Sequence, residues 1–139
     1  MDKQELAVNY FSNGYNCAQA VVLAFCEDFG ISKELAARII EGFGGGMGRT
    51  RSVCGAVSGM VTLAGMRDSK GEAGDMETRI KIYGNIKNMI NEFEKEYGSK
   101  ICAELMVKGD TTPGAGGHQK NCVDCVKTAA KIAEKYLSA

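Results

Sequence analysis

Apolar residues along this chain recur at steps of three and four, and glycine interrupts them at intervals. The segment "DKQELAVNYFS" opens on Asp2 with Glu5 three positions on. That is capping-box spacing, and it sets Leu6, Tyr10 and Phe11 on one face. After Gly14, "NCAQAVVLAFCEDF" predicts a second helix, stopped by Gly30. "SKELAARIIEGF" predicts a third, capped by Ser32, with Leu35, Ile39 and Phe43 at steps of four. The next stretch, "GFGGGMGRTR", holds five glycines within seven residues. At about 1 kcal/mol for each glycine in a helix interior, it predicts no stable helix. A fourth helix is expected from Ser52 to Met66, then a solvated loop, "RDSKGEAGD". A long helix from Met76 to Tyr97 carries Ile82, Ile86, Met89, Phe93 and Tyr97 as an ordinary core stripe and ends at Gly98. "SKICAELMV" predicts a short helix and "KGDTTPGAGGHQ" an irregular loop. "NCVDCVKTAAKIAEKYL" predicts a closing helix with Val126, Ala129 or Ala130, Ala133 and Leu137 on one face.

No run alternates with period two. The pattern therefore predicts an all-α fold, a compact bundle of about five to seven helices. With no repeat, low-complexity tract or linker, the 139 residues read as a single domain over 1–139. Gly55 and Gly59, four apart, predict a helix face open to close approach by another helix, within the domain or across a homodimer.

Charge adds mainly exclusions. The 17 basic and 17 acidic residues balance, and no run of one sign marks a nucleic-acid or anionic-membrane partner. The longest apolar run, "AVVLAF", is far short of a membrane span. The charged start "MDKQELAVNY" lacks the apolar core of a secretion signal, so a cytoplasmic location is expected. One His, one Pro and no Trp exclude chemistry that needs several histidines.

The six cysteines change the picture most. In a reducing compartment they point to metal or redox work rather than to structural disulfides. Four of them fall beside predicted helix starts: Cys17 after Asn16, Cys54 after Ser52, Cys102 after Ser99 and Cys122 after Asn121. Ser and Asn are favoured N-caps. A helix N-terminus carries roughly half a positive charge and free N–H groups. A thiolate there is stabilised and its pKa is expected to fall. If the four starts converge, they suit a cluster of anionic sulfurs or a reactive thiol pair; otherwise each cysteine is a small buried hydrophobe. Cys26 lies nine residues after Cys17 on the opposite face of the same predicted helix and reads as packing.

These residues also carry a resemblance. "FSNGYNCAQAVVLAF", "CGAVSG", "YGSKICAEL" and "NCVDCVKTAAKI", in that order, resemble the C_GCAxxG_C_C family of redox-active proteins over nearly the whole chain. The resemblance places the family cysteines on Cys17, Cys54, Cys102 and Cys122 and leaves Cys125 as an extra thiol. It implies a redox role without naming a substrate. A similar domain occurs in some cytochromes, where iron–sulfur binding is proposed for it. The chain has no Cys-x-x-Cys-His, so covalent haem is not expected.

Three chemistries compete for these thiols. Cys17, Cys54, Cys102 and Cys122 would ligate an iron–sulfur cluster and serve electron transfer with a redox partner protein or a small-molecule electron carrier. A metal-free thiol–disulfide protein is the close rival, because "CVDC" has Cys-x-x-Cys spacing, though no strand precedes it. A zinc-stabilised, non-enzymatic binding module is the third, with Cys125 and His118 as secondary ligand candidates. His118, alone in a glycine-rich loop, is otherwise expected to be solvated. The glycine segment fails the phosphate-loop and dinucleotide patterns. Arg49 and Arg51 just before Cys54 either draw an anion and lower that thiol's pKa, or are plain surface charges.

Overall fold

The structure is a computed structural model that describes residues 1–138. Seven α-helices of seven or more residues carry it: α1 (Lys3–Ser12), α2 (Cys17–Leu23), α3 (Lys33–Ile40), α4 (Gly55–Asp68), α5 (Met76–Tyr97), α6 (Cys102–Lys108) and α7 (Lys120–Leu137). Among the described residues there is no strand, so the all-α expectation holds. No helix among them is long and apolar enough to cross a membrane.

Helix α4 is the hub. It packs on α2, α5 and α7, and Gly55 through Met60, Leu63 and Ala64 are all buried. A helix apolar nearly all round has to sit inside the others. Its close neighbour is α2, admitted by two glycines. A Cβ on Gly59 would stand 2.9 Å from the Ala18 carbonyl oxygen and 3.0 Å from Val21 Cβ. The small-residue face read from Gly55 and Gly59 thus receives a helix of the same chain. On the other side of α4, α5 buries Ile82, Met89 and Phe93, and α7 buries Val126, Ala129, Ala130, Ala133 and Leu137, the faces that periodicity predicts.

Several local expectations hold and several need correction. Asp2, Ser32 and Asp75 accept bonds from the N–H groups of Glu5, Leu35 and Thr78, and Gly98 closes α5 in a left-handed conformation. The second predicted helix is interrupted: α2 ends at Leu23, and Cys26–Phe29 tightens into a 3-10 turn that places both Phe25 and Cys26 in the core. Helix α3 buries Ala36 and Ile40, not the stripe of Leu35 and Ile39, which are 46% and 56% exposed. Small Ala36 lets α3 lie close to α2, where the Gln19 side chain donates to the Ala37 carbonyl at 3.0 Å. Helix α4 starts at Gly55 rather than Ser52. The reason is a one-residue antiparallel bridge, Val53 to Ile101, too short to leave an alternating pattern.

The glycine segment forms a left-handed turn. Gly45, Gly46, Met47, Gly48 and Arg49 all have φ between 58° and 70°, and Arg51 follows at 63°. The turn is closed by the N–H groups of Arg49, Arg51 and Ser52 on the carbonyls of Gly44, Gly45 and Gly46. Glycine adopts this conformation freely, whereas Met47, Arg49 and Arg51 each cost about 1–2 kcal/mol in it.

Two glycine substitutions separate packing from propensity. Gly59→Ala is expected to destabilise the protein by about 1–3 kcal/mol, because its methyl meets backbone. Gly84→Ala, on the exposed side of α5 with nothing within 4 Å of the added carbon, is expected to stabilise it by about 1 kcal/mol. Urea denaturation of the two variants against the parent checks both signs.

Candidate functional site

Cys17, Cys54, Cys102 and Cys122, drawn from four distant parts of the chain, line one pocket of about 240 Å³ together with Cys125. Arg49, Arg51, Asn121 and His118 share its wall, and Phe11, Leu105 and Met106 make it largely apolar. Cys26 is buried elsewhere, with its thiol directed to the Leu23 carbonyl at 3.9 Å.

Each motif cysteine sits at or near a helix start, but only one has the cap read from sequence. Cys17 is the first residue of α2, behind a complete capping box of Asn16 and Gln19. The Asn16 amide also donates to the Glu41 carbonyl at 3.0 Å, which ties α2 to the glycine turn. Cys54 is itself the N-cap residue of α4, and Ser52 caps nothing. Ser52 instead bonds Thr50 at 3.1 Å, and its carbonyl accepts the Cys102 N–H at 2.6 Å. Cys102 opens α6 behind Ile101, while Ser99 accepts from the Ile101 N–H and donates to Glu104. Cys122 is in the first turn of α7, whose N-cap is Gln119, not Asn121. The bridge between residues 51–54 and 100–103 is what brings Cys54 and Cys102 together: Cys54 N–H donates to Lys100 and Cys102 N–H to Ser52.

Absent side chains make room for the sulfurs. A Cβ on Gly55 would fall 2.3 Å from Cys17 Sγ, and one on Gly46 would fall 2.7 Å from Cys102 Cβ. Gly109 likewise leaves space for the Asn121 amide, a Cβ there standing 2.5 Å from Asn121 Cβ. The Asn121 amide nitrogen donates to the Leu105 carbonyl at 3.2 Å, and its oxygen has no partner.

The expected fall in thiol pKa occurs at Cys54, whereas Cys17 and Cys122 move the other way. Cys54 is lowered to about 7, chiefly by the neighbouring Cys125 thiol, then by the N–H groups of Val57 and Ala56 acting against burial. Cys125, which gives up that proton least readily, is raised. Burial raises Cys17 despite the N–H groups of Gly45 and Ala18, and the charges of Cys54 and Cys102 add to the rise. Cys122 is pushed up to about 11 by burial and by Cys17, Cys54 and Cys102. Desolvation therefore outweighs the helix ends at Cys17 and Cys122. Arg51 does not serve Cys54 as the sequence suggested. Its guanidinium lies 3.8 Å from Cys102 Sγ.

His118 is not a solvated loop residue. Its ring stacks on Phe11 with centroids 3.6 Å apart, and Nε2–H donates to the Phe11 carbonyl at 2.9 Å. Among the described residues, no three His, Cys, Asp or Glu side chains are grouped to hold one metal ion.

Fold and pocket together define a helical, cysteine-rich protein with five of its six thiols lining one pocket. Residues 15–136 match the family described as "Putative redox-active protein (C_GCAxxG_C_C)", and the chain belongs to that family. Neither a curated protein nor a solved structure matches it.

The split between Cys54 and its neighbours is measurable in the metal-free, reduced protein. Ultraviolet thiolate absorbance is expected to show one early titration near pH 7 from Cys54, lost in Cys54→Ser and moved upward in Cys125→Ser. The effects on stability have opposite signs. The contribution of Cys54, lowered from 9.0, is complete above about pH 9 and lost as pH falls through about 7. That of Cys122, raised from 9.0, is complete below about pH 9 and lost as pH rises through about 11.

Proposed function

We propose that Cys17, Cys54, Cys102 and Cys122 hold an iron–sulfur cluster and that the protein carries electrons through it. The observation that supports this reading is the meeting of four thiols, each at or near a helix N-terminus, around one largely apolar pocket. Their electrostatics fit such a group. Burial first, and the charges of the neighbouring cysteines after it, hold Cys17 and Cys122 in the thiol form, so four thiolates here need a cationic centre to coexist. A single zinc ion draws its ligands about one point. Cluster ligands bind different irons, so sulfurs spaced around a pocket suit a cluster better.

When bound, the cluster supplies one-electron redox chemistry. The chain's own groups set its terms. The N–H groups of Gly45 and Ala18 face Cys17, those of Val57 and Ala56 face Cys54, and Arg51 lies beside Cys102. Donors and positive charge near the ligand sulfurs favour the reduced state and raise the potential. Phe11, Leu105 and Met106 limit water at the site. A reducing cytoplasm that keeps all six thiols free belongs to the same reading, with a redox protein or small electron carrier at the pocket mouth.

Anaerobic purification after iron and sulfide reconstitution tests it. A brown protein with iron and acid-labile sulfide in comparable amounts is expected. Cys17→Ser, Cys54→Ser, Cys102→Ser and Cys122→Ser should each lose most of the visible absorbance, and Cys26→Ser should keep it. A colourless, iron-free parent protein after reconstitution would overturn the reading. Gly55→Ala gives a finer check. Its methyl would displace the Cys17 sulfur, so iron content should fall while far-ultraviolet circular dichroism stays helical.

A further inference from the structure

We infer that the mouth of the thiol pocket binds a small organic anion, with its carboxylate or phosphate held by Arg49 and Arg51. Such an anion is the class of small electron carrier that the cluster reading leaves open. Its redox role rests on that reading, whereas its binding rests on the charge and shape of the pocket wall.

The chain as a whole is balanced, with 17 basic and 17 acidic residues, but the pocket is not. Arg49 and Arg51 line it, and no Asp or Glu among the described residues does. Neither arginine forms an ion pair with a carboxylate of the described residues. The two side chains are also drawn together. A Cβ on Gly45 would stand 2.8 Å from Arg49 Cγ and 3.8 Å from Arg51 Nη1, so the bare glycine seats both over one spot. Arg51 joins that spot to the thiols, its Nη1 lying 3.8 Å from Cys102 Sγ.

Arg49 and Arg51 have φ of 66° and 63°, where Gly or Asn would stand with less strain. A plain surface turn gains nothing from arginine in that conformation, whereas a site that needs cations there does. Repulsion between the two guanidiniums adds to the cost, and an anion beside them offsets it. Phe11, Leu105 and Met106 give the same pocket low-dielectric walls, which concentrate the field of the two charges. A guanidinium also presents its N–H donors in the paired geometry that a carboxylate or phosphate accepts. A neutral or cationic carrier gains none of this.

The test uses the full-length, reduced, metal-free protein and two thiol reagents, anionic dithiobis(nitrobenzoate) and neutral dithiodipyridine. Initial rates of the parent are compared with those of the double variant Arg49→Asn, Arg51→Asn, whose new residues suit the left-handed turn. The variant should react about tenfold more slowly with the anionic reagent and stay within about twofold of the parent with the neutral one. The double variant Arg49→Lys, Arg51→Lys should recover most of the difference. About 1 M salt, where the Debye length is about 3 Å, should abolish it in the parent. Benzoate or phenyl phosphate should protect the parent's thiols from the neutral reagent but not those of the Asn variant, and whichever protects at lower concentration identifies the headgroup. An unchanged ratio of anionic to neutral rates in the Asn variant, or no protection by either anion, would overturn the site. If iron reconstitution fails while the anion preference stands, the cluster reading falls and the anion site remains.

Discussion

The Cys17 sulfur occupies the space that a side chain at residue 55 would fill. That contact sets how near α2 comes to α4, and much else follows from it. Gly59 repeats the approach one turn along, against Ala18 and Val21. With α2 seated there, its capping Asn16 reaches the Glu41 carbonyl, and Gly44 must be bare because Asn16 lies where its Cβ would be. The glycine turn is thereby pressed against the start of α2. It carries a Gly45 N–H to Cys17 and leaves Arg51 beside Cys102. Close backbone approach at one helix pair thus organises three of the pocket's walls.

Gathering thiols in this way carries an electrostatic cost that the helix ends only partly offset. Cys17, Cys54, Cys102 and Cys122 each sit at or near a helix start, yet burial and mutual repulsion hold Cys17 and Cys122 in the thiol form. Cys54 escapes because a neighbouring S–H stabilises its charge. Without a bound cation the pocket therefore holds unlike sulfurs, Cys54 readily ionised and Cys17 and Cys122 not. A shared cationic centre would make them alike.

The elements with a full period of their own were legible in the chain. Helix α5 shows five core residues at regular steps and a terminal glycine, and its limits follow from those marks. The four pocket cysteines were legible too, through their repeated nearness to Ser and Asn. The reason was partly different, since only Asn16 caps as read; Ser52, Ser99 and Asn121 make other bonds. What sequence hid depends on partners in space. Leu35 and Ile39 versus Ala36 and Ile40 is a choice between two equally spaced stripes, decided by how close α2 can come. The Val53–Ile101 bridge is one residue wide and leaves no pattern. Cys125 lines the same pocket as the four motif cysteines, three of which come from other segments of the chain, where its local spacing pointed to Cys122 alone. His118 stacks on Phe11, from the opposite end of the chain.

The left-handed turn has a consequence in chirality. Its backbone is the mirror image of the conformation that L-residues favour, and three of its five positions, Gly45, Gly46 and Gly48, are achiral and indifferent to hand. Met47 and Arg49 are the two stereocentres set against it. D-residues at those two sites would suit the turn better than the natural ones, whereas any L-residue at the three glycines would add to the mismatch. The wall of the thiol pocket is thus a stretch of chain in which handedness, together with the space that Cys102 takes beside Gly46, limits which amino acids can stand.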